Sequence, residues 1–131
     1  MKKIEYTKLL QLAKESQNFS YSPYSNFCVG SAILFENGQI VTGCNVENSS
    51  YGLSLCAERN AMTTAVTKGL NKPIAIAIVG KPGVPCAPCG ACRQFLVEFN
   101  YEMDVVLENG LDFKVYKLST LLPDHFVYKT E

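Results

Sequence analysis

An excess of charge is missing from this sequence. Twelve lysines and arginines balance 12 aspartates and glutamates, and there is a single histidine. A protein that grips a nucleic-acid backbone normally carries a basic surplus, so the balance argues for a small neutral ligand and against nucleic acid. Long apolar runs are missing too. None approaches the roughly 18–20 residues needed to span a bilayer, so no membrane partner is expected. The first residues, Met1 to Leu12, mix charge with apolar side chains and lack the apolar stretch and small-residue cleavage site of a secretory leader. No internal repeat, low-complexity tract or long linker is present. A cytoplasmic location is therefore expected, and with it a reducing environment. There, six cysteines read as metal ligands, reactive thiols or buried small hydrophobes before disulfides.

What is present is ordinary for a folded domain. The chain has 131 residues, 47% of them hydrophobic and 18% charged, which suits one domain over 1–131 with one sizeable core. Ile4, Leu9, Leu12 and Ala13 mark an amphipathic helix from about Glu5 to Gln17. Ser20 to Asn26 is turn chemistry around Pro23. The runs Phe27–Phe35 and Gln39–Asn45 flank Asn37-Gly38, a hairpin signal because both central residues must tolerate positive φ. A second helix is expected from Cys56 to Lys68, with Ala57, Ala61, Met62, Ala65 and Val66 on one face and Gly69 as its C-terminal stop. Pro73 to Gly80 is almost continuously apolar, as in a strand buried on both faces. A third helix from Cys89 or Gly90 to Phe99 follows. A second hairpin, Met103–Leu107 with Asp112–Tyr116, turns at Asn109-Gly110, and a short helical piece lies near Thr120. This order predicts a mixed sheet with helices on its faces.

Two segments carry chemistry. Cys56-Ala57-Glu58-Arg59 opens the second helix, and Pro88-Cys89-Gly90-Ala91-Cys92-Arg93-Gln94 opens the third. The C-x-x-C spacing puts Cys89 and Cys92 on one face of a helical turn, and Cys56 supplies a third sulfur. Three protein ligands and an open position describe a catalytic zinc; four describe a structural one. Helix N-termini present unpaired N–H groups and favour the thiolate form. Three thiolates overcompensate a divalent charge, and Arg59 is placed to offset this by donating to sulfur. Glu58 can relay protons. However, positions two apart on an ideal helix diverge by about 200°, so Glu58 does not share the direction of Cys56 by spacing alone. A second motif, Pro85-Cys86-Ala87-Pro88-Cys89, overlaps the first, and spacing permits Cys86 with Cys89 as the ligand pair.

These residues resemble the cytidine deaminase family, whose zinc signature has this form. Pro23-Tyr24-Ser25-Asn26-Phe27-Cys28-Val29-Gly30 and Gly43-Cys44-Asn45-Val46-Glu47-Asn48 also resemble it, and the likeness runs from about Ala13 to Phe126. Cysteine as first ligand is similar to the short, homotetrameric branch. The resemblance implies a three-layer α/β/α sandwich around a five-stranded mixed sheet. It implies one Zn²⁺ per subunit on Cys56, Cys89 and Cys92, because Gly-Ala between the ligands and Arg-Gln after them fit only the later cysteine pair. It further implies that Glu58 shuttles protons between water, ring N3 and departing ammonia, with attack at C4. The Ala57 backbone meets the base, Phe27 flanks the pyrimidine, and Asn45 and Glu47 hold the ribose hydroxyls. Tyr51 and Phe126 belong near subunit boundaries, Phe126 lent to a neighbour's pocket in a homotetramer with shared sites. The implied reaction is hydrolysis of cytidine and 2'-deoxycytidine to uridine and 2'-deoxyuridine.

Other readings of the same residues exist. The chain could deaminate another cytosine-containing compound, hold a structural zinc in an interaction module, or work as a redox dithiol. Cys28 and Cys44 read as buried strand residues, Cys86 as a loop cysteine, His125 as a surface or interface residue and Arg93 as a solvated one. Asn45 and Glu47 alone read as a strand end and turn, and Phe27 as core.

Overall fold

Successive residues of a strand face opposite sides of a sheet, and here the two sides carry different residues. In β1 (Gly30–Phe35), Ile33 and Phe35 point one way and Ala32 and Leu34 the other. In β3 (Pro73–Val79), Ile76 and Ile78 oppose Ala75, Ala77 and Val79. The bulkier face packs against α2 (Ala57–Thr67) and α3 (Gly90–Val97) through Ala61, Met62, Ala65, Leu96 and Val97. The alanine-rich face lies under α1 (Lys2–Ser16), which buries Tyr6, Leu9, Leu10 and Ala13. With β2 (Ile40–Cys44), β4 (Asp104–Asn109), β5 (Asp112–Lys117) and the short α4 (Leu118–Leu121), this is the expected α/β/α arrangement. The computed structural model describes residues 2–128; Met1 and residues 129–131, which the expected domain includes, lie outside the described residues.

The five-stranded sheet has the order β2-β1-β3-β4-β5. Only β3 and β4 pair in parallel among these neighbours, with α3 as the crossover. Because β1 is antiparallel to both β2 and β3, those two strands run the same way, and the chain leaves both at one end of the sheet. The helices that follow them, α2 and α3, therefore start side by side. This topology brings the two cysteine segments together.

Close approach sharpens the placement. A Cβ on Gly43 would stand 2.5 Å from the Ala61 nitrogen and 2.7 Å from the Ala57 carbonyl, so only glycine lets α2 lie on β2. Ser31, fully buried in β1, donates its hydroxyl to the Ala57 carbonyl at 2.8 Å and pins the first turn of α2. At the other end α2 closes in a Schellman motif. Gly69 takes φ +83°, its N–H reaches the Val66 carbonyl at 2.9 Å, and the Leu70 N–H reaches Ala65 at 2.9 Å.

Several sequence expectations are corrected. The α1 stripe uses Tyr6 and Leu10, while Ile4 is exposed and Leu12 is partly buried. Tyr6 can be buried because its hydroxyl donates to Asp104 at 2.5 Å, and Lys117 balances that carboxylate at 2.9 Å. At the first hairpin only Gly38 has positive φ. Its N–H and that of Phe35 close the loop against Phe35 and Gln39 at 2.9 Å, so one glycine at a bulge suffices where two left-handed residues were expected. The second hairpin turns one residue later than expected, at Gly110-Leu111, between the paired Asn109 and Asp112. Cys28 lies in the segment before β1 and is exposed, because β1 starts only at Gly30.

Candidate metal centre and active-site cleft

The Sγ atoms of Cys56, Cys89 and Cys92 all lie within 4.8 Å of one another. Two sulfurs bound to one zinc at tetrahedral angles and about 2.3 Å sit about 3.8 Å apart, so the cluster fits a single ion. Among the described residues no other histidine, cysteine, aspartate or glutamate joins it. Cys86 thus stays outside the ligand set, and the later C-x-x-C supplies the pair. Cys56 and Cys89 are the N-cap residues of α2 and α3, with extended backbones at φ/ψ of −73°/154° and −69°/169°. Cys92 is fully buried in the first turn of α3.

The N-cap position of Cys56 settles where Glu58 points. Cys56 is not helical, so the 200° divergence expected for a helical pair does not apply. Glu58 instead falls on the stripe with Ala61, Met62 and Ala65, and only 5% of it is exposed. A carboxylate on the buried stripe of a helix is a signal that the sequence contains, and helical spacing read from Cys56 obscured it.

The electrostatics favour a cation. The Cys92 thiol and the Arg59 guanidinium donate to the Cys56 sulfur, which pulls its pKa down to about 5 against the opposing effect of burial. Cys92 is pushed up for the complementary reason: it holds the proton that it gives to Cys56. A divalent cation can displace that shared proton. Burial, and then the Cys56 charge, raise the Glu58 pKa, so this carboxyl takes up a proton more readily than an exposed glutamate. Arg59 Nη2 stands 3.6 Å from the Cys56 Sγ, while its buried Nε has no hydrogen-bond partner among the described residues. The charge-offsetting role expected of Arg59 thus has a geometric basis. Arg59→Gln, which removes the cation, is expected to weaken zinc retention, read as faster transfer of zinc to a chelator.

A cleft of about 260 Å³ opens onto the cluster. Cys56, Ala57, Glu58 and Cys89 line it together with Cys86, Ala87, Asn45, Glu47, Ser54, Leu55 and Val29. Asn45 is largely committed to the protein. Its Oδ1 accepts from the Val29 N–H at 3.0 Å and from the Ser20 hydroxyl, and its Nδ2 donates to the Phe27 carbonyl at 2.8 Å. One amide N–H remains to offer. Glu47 accepts from the Tyr24 and Ser25 N–H groups at 3.0 and 3.2 Å and from the Ser25 hydroxyl. The Ser25 hydroxyl foremost, with these N–H groups, holds its carboxyl below the usual range despite some desolvation. Both residues are therefore ordered polar groups and not merely a strand end and turn.

The other expected site residues are less central within one chain. The half-exposed Phe27 ring packs over Gly80, where a Cβ would lie 2.8 Å from its Cζ and 3.1 Å from the Cys86 sulfur. Phe27 is thus not core; it meets Gly80 beside Cys86, but it does not itself line the cleft. Tyr51 is exposed, edge-on to Tyr24 with ring centres 6.0 Å apart, and lines an adjoining hollow with Ser25, Glu47 and Ser54. Phe126 is exposed and lines a separate hollow with His125 and Tyr128, so a single chain does not bring it to the cleft. His125 stacks on Tyr101 at 4.0 Å. Sequence reasoning missed Ser31, Ser54 and Leu55, whose residue types give no signal. It also missed that Cys86 lines the cleft. Burial raises the Cys86 pKa to about 11, so it stays a neutral thiol. Cys86→Ser is expected to leave the zinc content per chain unchanged, as measured by elemental analysis.

A three-sulfur cluster at twin helix N-termini, with a buried acid beside it and a cleft of small-molecule size opening onto it, suits a zinc-dependent hydrolytic site. The family model described as the cytidine and deoxycytidylate deaminase zinc-binding region matches residues 3–108. The chain belongs to this family. It is 42% identical over 125 residues to the cytidine deaminase of Sporosarcina psychrophila, covering 94% of this chain and 92% of that protein. Among solved structures, the cytidine deaminase of Burkholderia pseudomallei shares 45% identity at a TM-score of 0.86, covering 92% of this chain and 98% of that one. The Mycobacterium tuberculosis cytidine deaminase structure shares 38% identity at 0.84, covering 95% and 98%.

Proposed function

We propose that this chain, acting as a single domain, hydrolyses cytidine and 2'-deoxycytidine to uridine and 2'-deoxyuridine, releasing ammonia. The observation that carries this reading is the buried Glu58 in the same cleft as the three-sulfur cluster. Cys56, Cys89 and Cys92 would hold the zinc ion, which when bound would supply the Lewis acidity that makes water a nucleophile at neutral pH. Glu58 would take a first proton from the attacking water and pass it to ring N3, then take the remaining proton from the oxygen added at C4 and deliver it to the exocyclic amine as the C4–N bond breaks. Water adds at C4 and ammonia leaves, so atoms balance. The raised proton affinity of Glu58 suits a group that must both accept and return protons.

The polar residues of the cleft wall orient the sugar. Asn45 offers its one free N–H as a donor to a ribose oxygen, and Glu47, charged at neutral pH, accepts from a ribose hydroxyl. The same negative charge disfavours a nearby phosphate, which points to nucleosides over nucleotides. The Ala57 backbone meets the base and Phe27 flanks it. Tyr51 and Phe126, both exposed on the single chain, serve at subunit boundaries of a homotetramer with shared sites, where an exposed aromatic gains cover. No helix among the described residues is long and apolar enough to cross a membrane, and the enzyme works in the cytoplasm. The test is direct: the purified protein converts cytidine with the absorbance change of amine loss, and chelation stops it. Unchanged turnover after complete zinc removal would overturn the reading.

A further inference from the structure

The sequence reading left Arg93 as a solvated helix residue, and the structure gives it two structural partners. Its Nε donates to the Pro88 carbonyl at 2.7 Å, and its Nη1 donates to the Leu121 carbonyl at 2.7 Å. Pro88 immediately precedes Cys89, and Leu121 is the last residue of α4. The next residue along α3, Gln94, donates to the Phe126 carbonyl at 3.1 Å. One planar cation therefore spans the loop that delivers a sulfur and the helix from which the C-terminal segment departs.

The three sulfurs are not equally fixed by packing. Cys92 is fully buried within a helix. Cys56 caps a helix whose first turn is pinned by Ser31 and seated on Gly43. Cys89 is exposed, at the end of the irregular segment that follows β3. It is the ligand most in need of an outside brace, and the Arg93 fork supplies one. A lysine offers a point charge that satisfies one carbonyl at a time, whereas a guanidinium holds two donors in fixed geometry.

We propose that Arg93 is the positioning residue for Cys89, locking its loop to α4 and so coupling the geometry of the sulfur cluster to the seat of the C-terminal segment. This rests on the reading that the cluster holds a metal. Groups that orient metal ligands typically change affinity about 10–100-fold when removed.

The test compares full-length wild-type, Arg93→Met, Arg93→Lys and Gln94→Ala proteins. Arg93→Met keeps the aliphatic stem and loses both donors. Arg93→Lys keeps the charge but replaces the planar fork with one ammonium nitrogen. Gln94→Ala cuts only the tie to Phe126. Two readouts apply: the rate of zinc transfer to a coloured chelator, and the visible spectrum of the cobalt-substituted protein, which reports ligand geometry and not fold stability. Arg93→Met is expected to lose zinc about tenfold faster or more, with displaced cobalt bands. Arg93→Lys should fall between, and Gln94→Ala should match wild type. Wild-type zinc loss and cobalt bands in Arg93→Met would overturn the proposal; if that variant does not fold, the same result in Arg93→Lys would do so. Gln94→Ala losing zinc as fast as Arg93→Met would also overturn it, since general packing of the tail would then explain the effect. A wild-type protein that binds no metal would instead remove the metal reading beneath it.

Discussion

Glu58→Gln is expected to yield a folded protein with full zinc content and turnover lower by about 10²–10⁴-fold, the usual contribution of a positioned general acid–base group. Glutamine preserves shape and can still accept or donate a hydrogen bond, but it cannot carry a proton from water to the leaving amine. The substitution also separates the competing explanations of the cysteine motif. A structural-zinc module has no use for the acid, and a redox dithiol needs neither acid nor metal. Stability should move the other way from activity. Glu58 is 5% exposed and lies beside the Cys56 charge, and burying a carboxylate there opposes folding. A neutral amide relieves that burden, so the melting temperature of Glu58→Gln should equal or exceed that of wild type, as expected where an active-site group is kept at a cost in stability. Metal analysis, steady-state kinetics with cytidine and thermal melting check these outcomes together.

The second large effect is expected from Cys92→Ala. Cys92 is fully buried in the first turn of α3, with its sulfur within 4.8 Å of both partners. Its loss leaves two ligands, one of them exposed, and a bidentate site with fast exchange. Zinc content should fall from one per chain to nearly none after dialysis, and turnover to the uncatalysed level. Stability should fall as well, because a ligand bound only by the native state stabilises it by mass action. Free metal at a hundred times its dissociation constant contributes about 2.7 kcal/mol. For a chain of this length that corresponds to roughly 10 °C in melting temperature. Chelated wild type should reproduce most of that shift. The aliphatic core on the other face of the sheet, around Leu9 and Val106, should keep the mutant folded.

The chemistry was more legible than the geometry. The spacing of Cys89 and Cys92 and the distant Cys56-Ala57-Glu58 are local patterns, and each survives folding because it sits at a helix start that the sequence marks. The order of elements was also legible, since the apolar periods of α1, α2 and β3 differ plainly. The turns were not. Asn37-Gly38 suggested two left-handed residues, but only Gly38 adopts positive φ. Sequence cannot tell a two-residue turn from a bulged loop that uses the same glycine. Helical spacing read from Cys56 obscures where Glu58 points, because Cys56 is the N-cap and not a helical residue, a difference of one residue at a boundary. Cys86 was ambiguous on spacing alone; the family resemblance favours the later pair, and the three-dimensional cluster agrees with it. Ser31 and the second tie of Arg93 gave no signal because their partners, the carbonyls of Ala57 and Leu121, lie 26 and 28 residues away. Backbone acceptors of that kind have no sequence signature.

The most direct test of the whole account is X-ray absorption at the zinc edge of the purified protein, with metal content measured on the same sample. One zinc per chain, surrounded by three sulfur scatterers at about 2.3 Å and one lighter oxygen or nitrogen neighbour, is the predicted result. Four sulfurs around the ion would mean that Cys86 closes the site against water, and two would mean that Cys56 never reaches it; either would contradict the account.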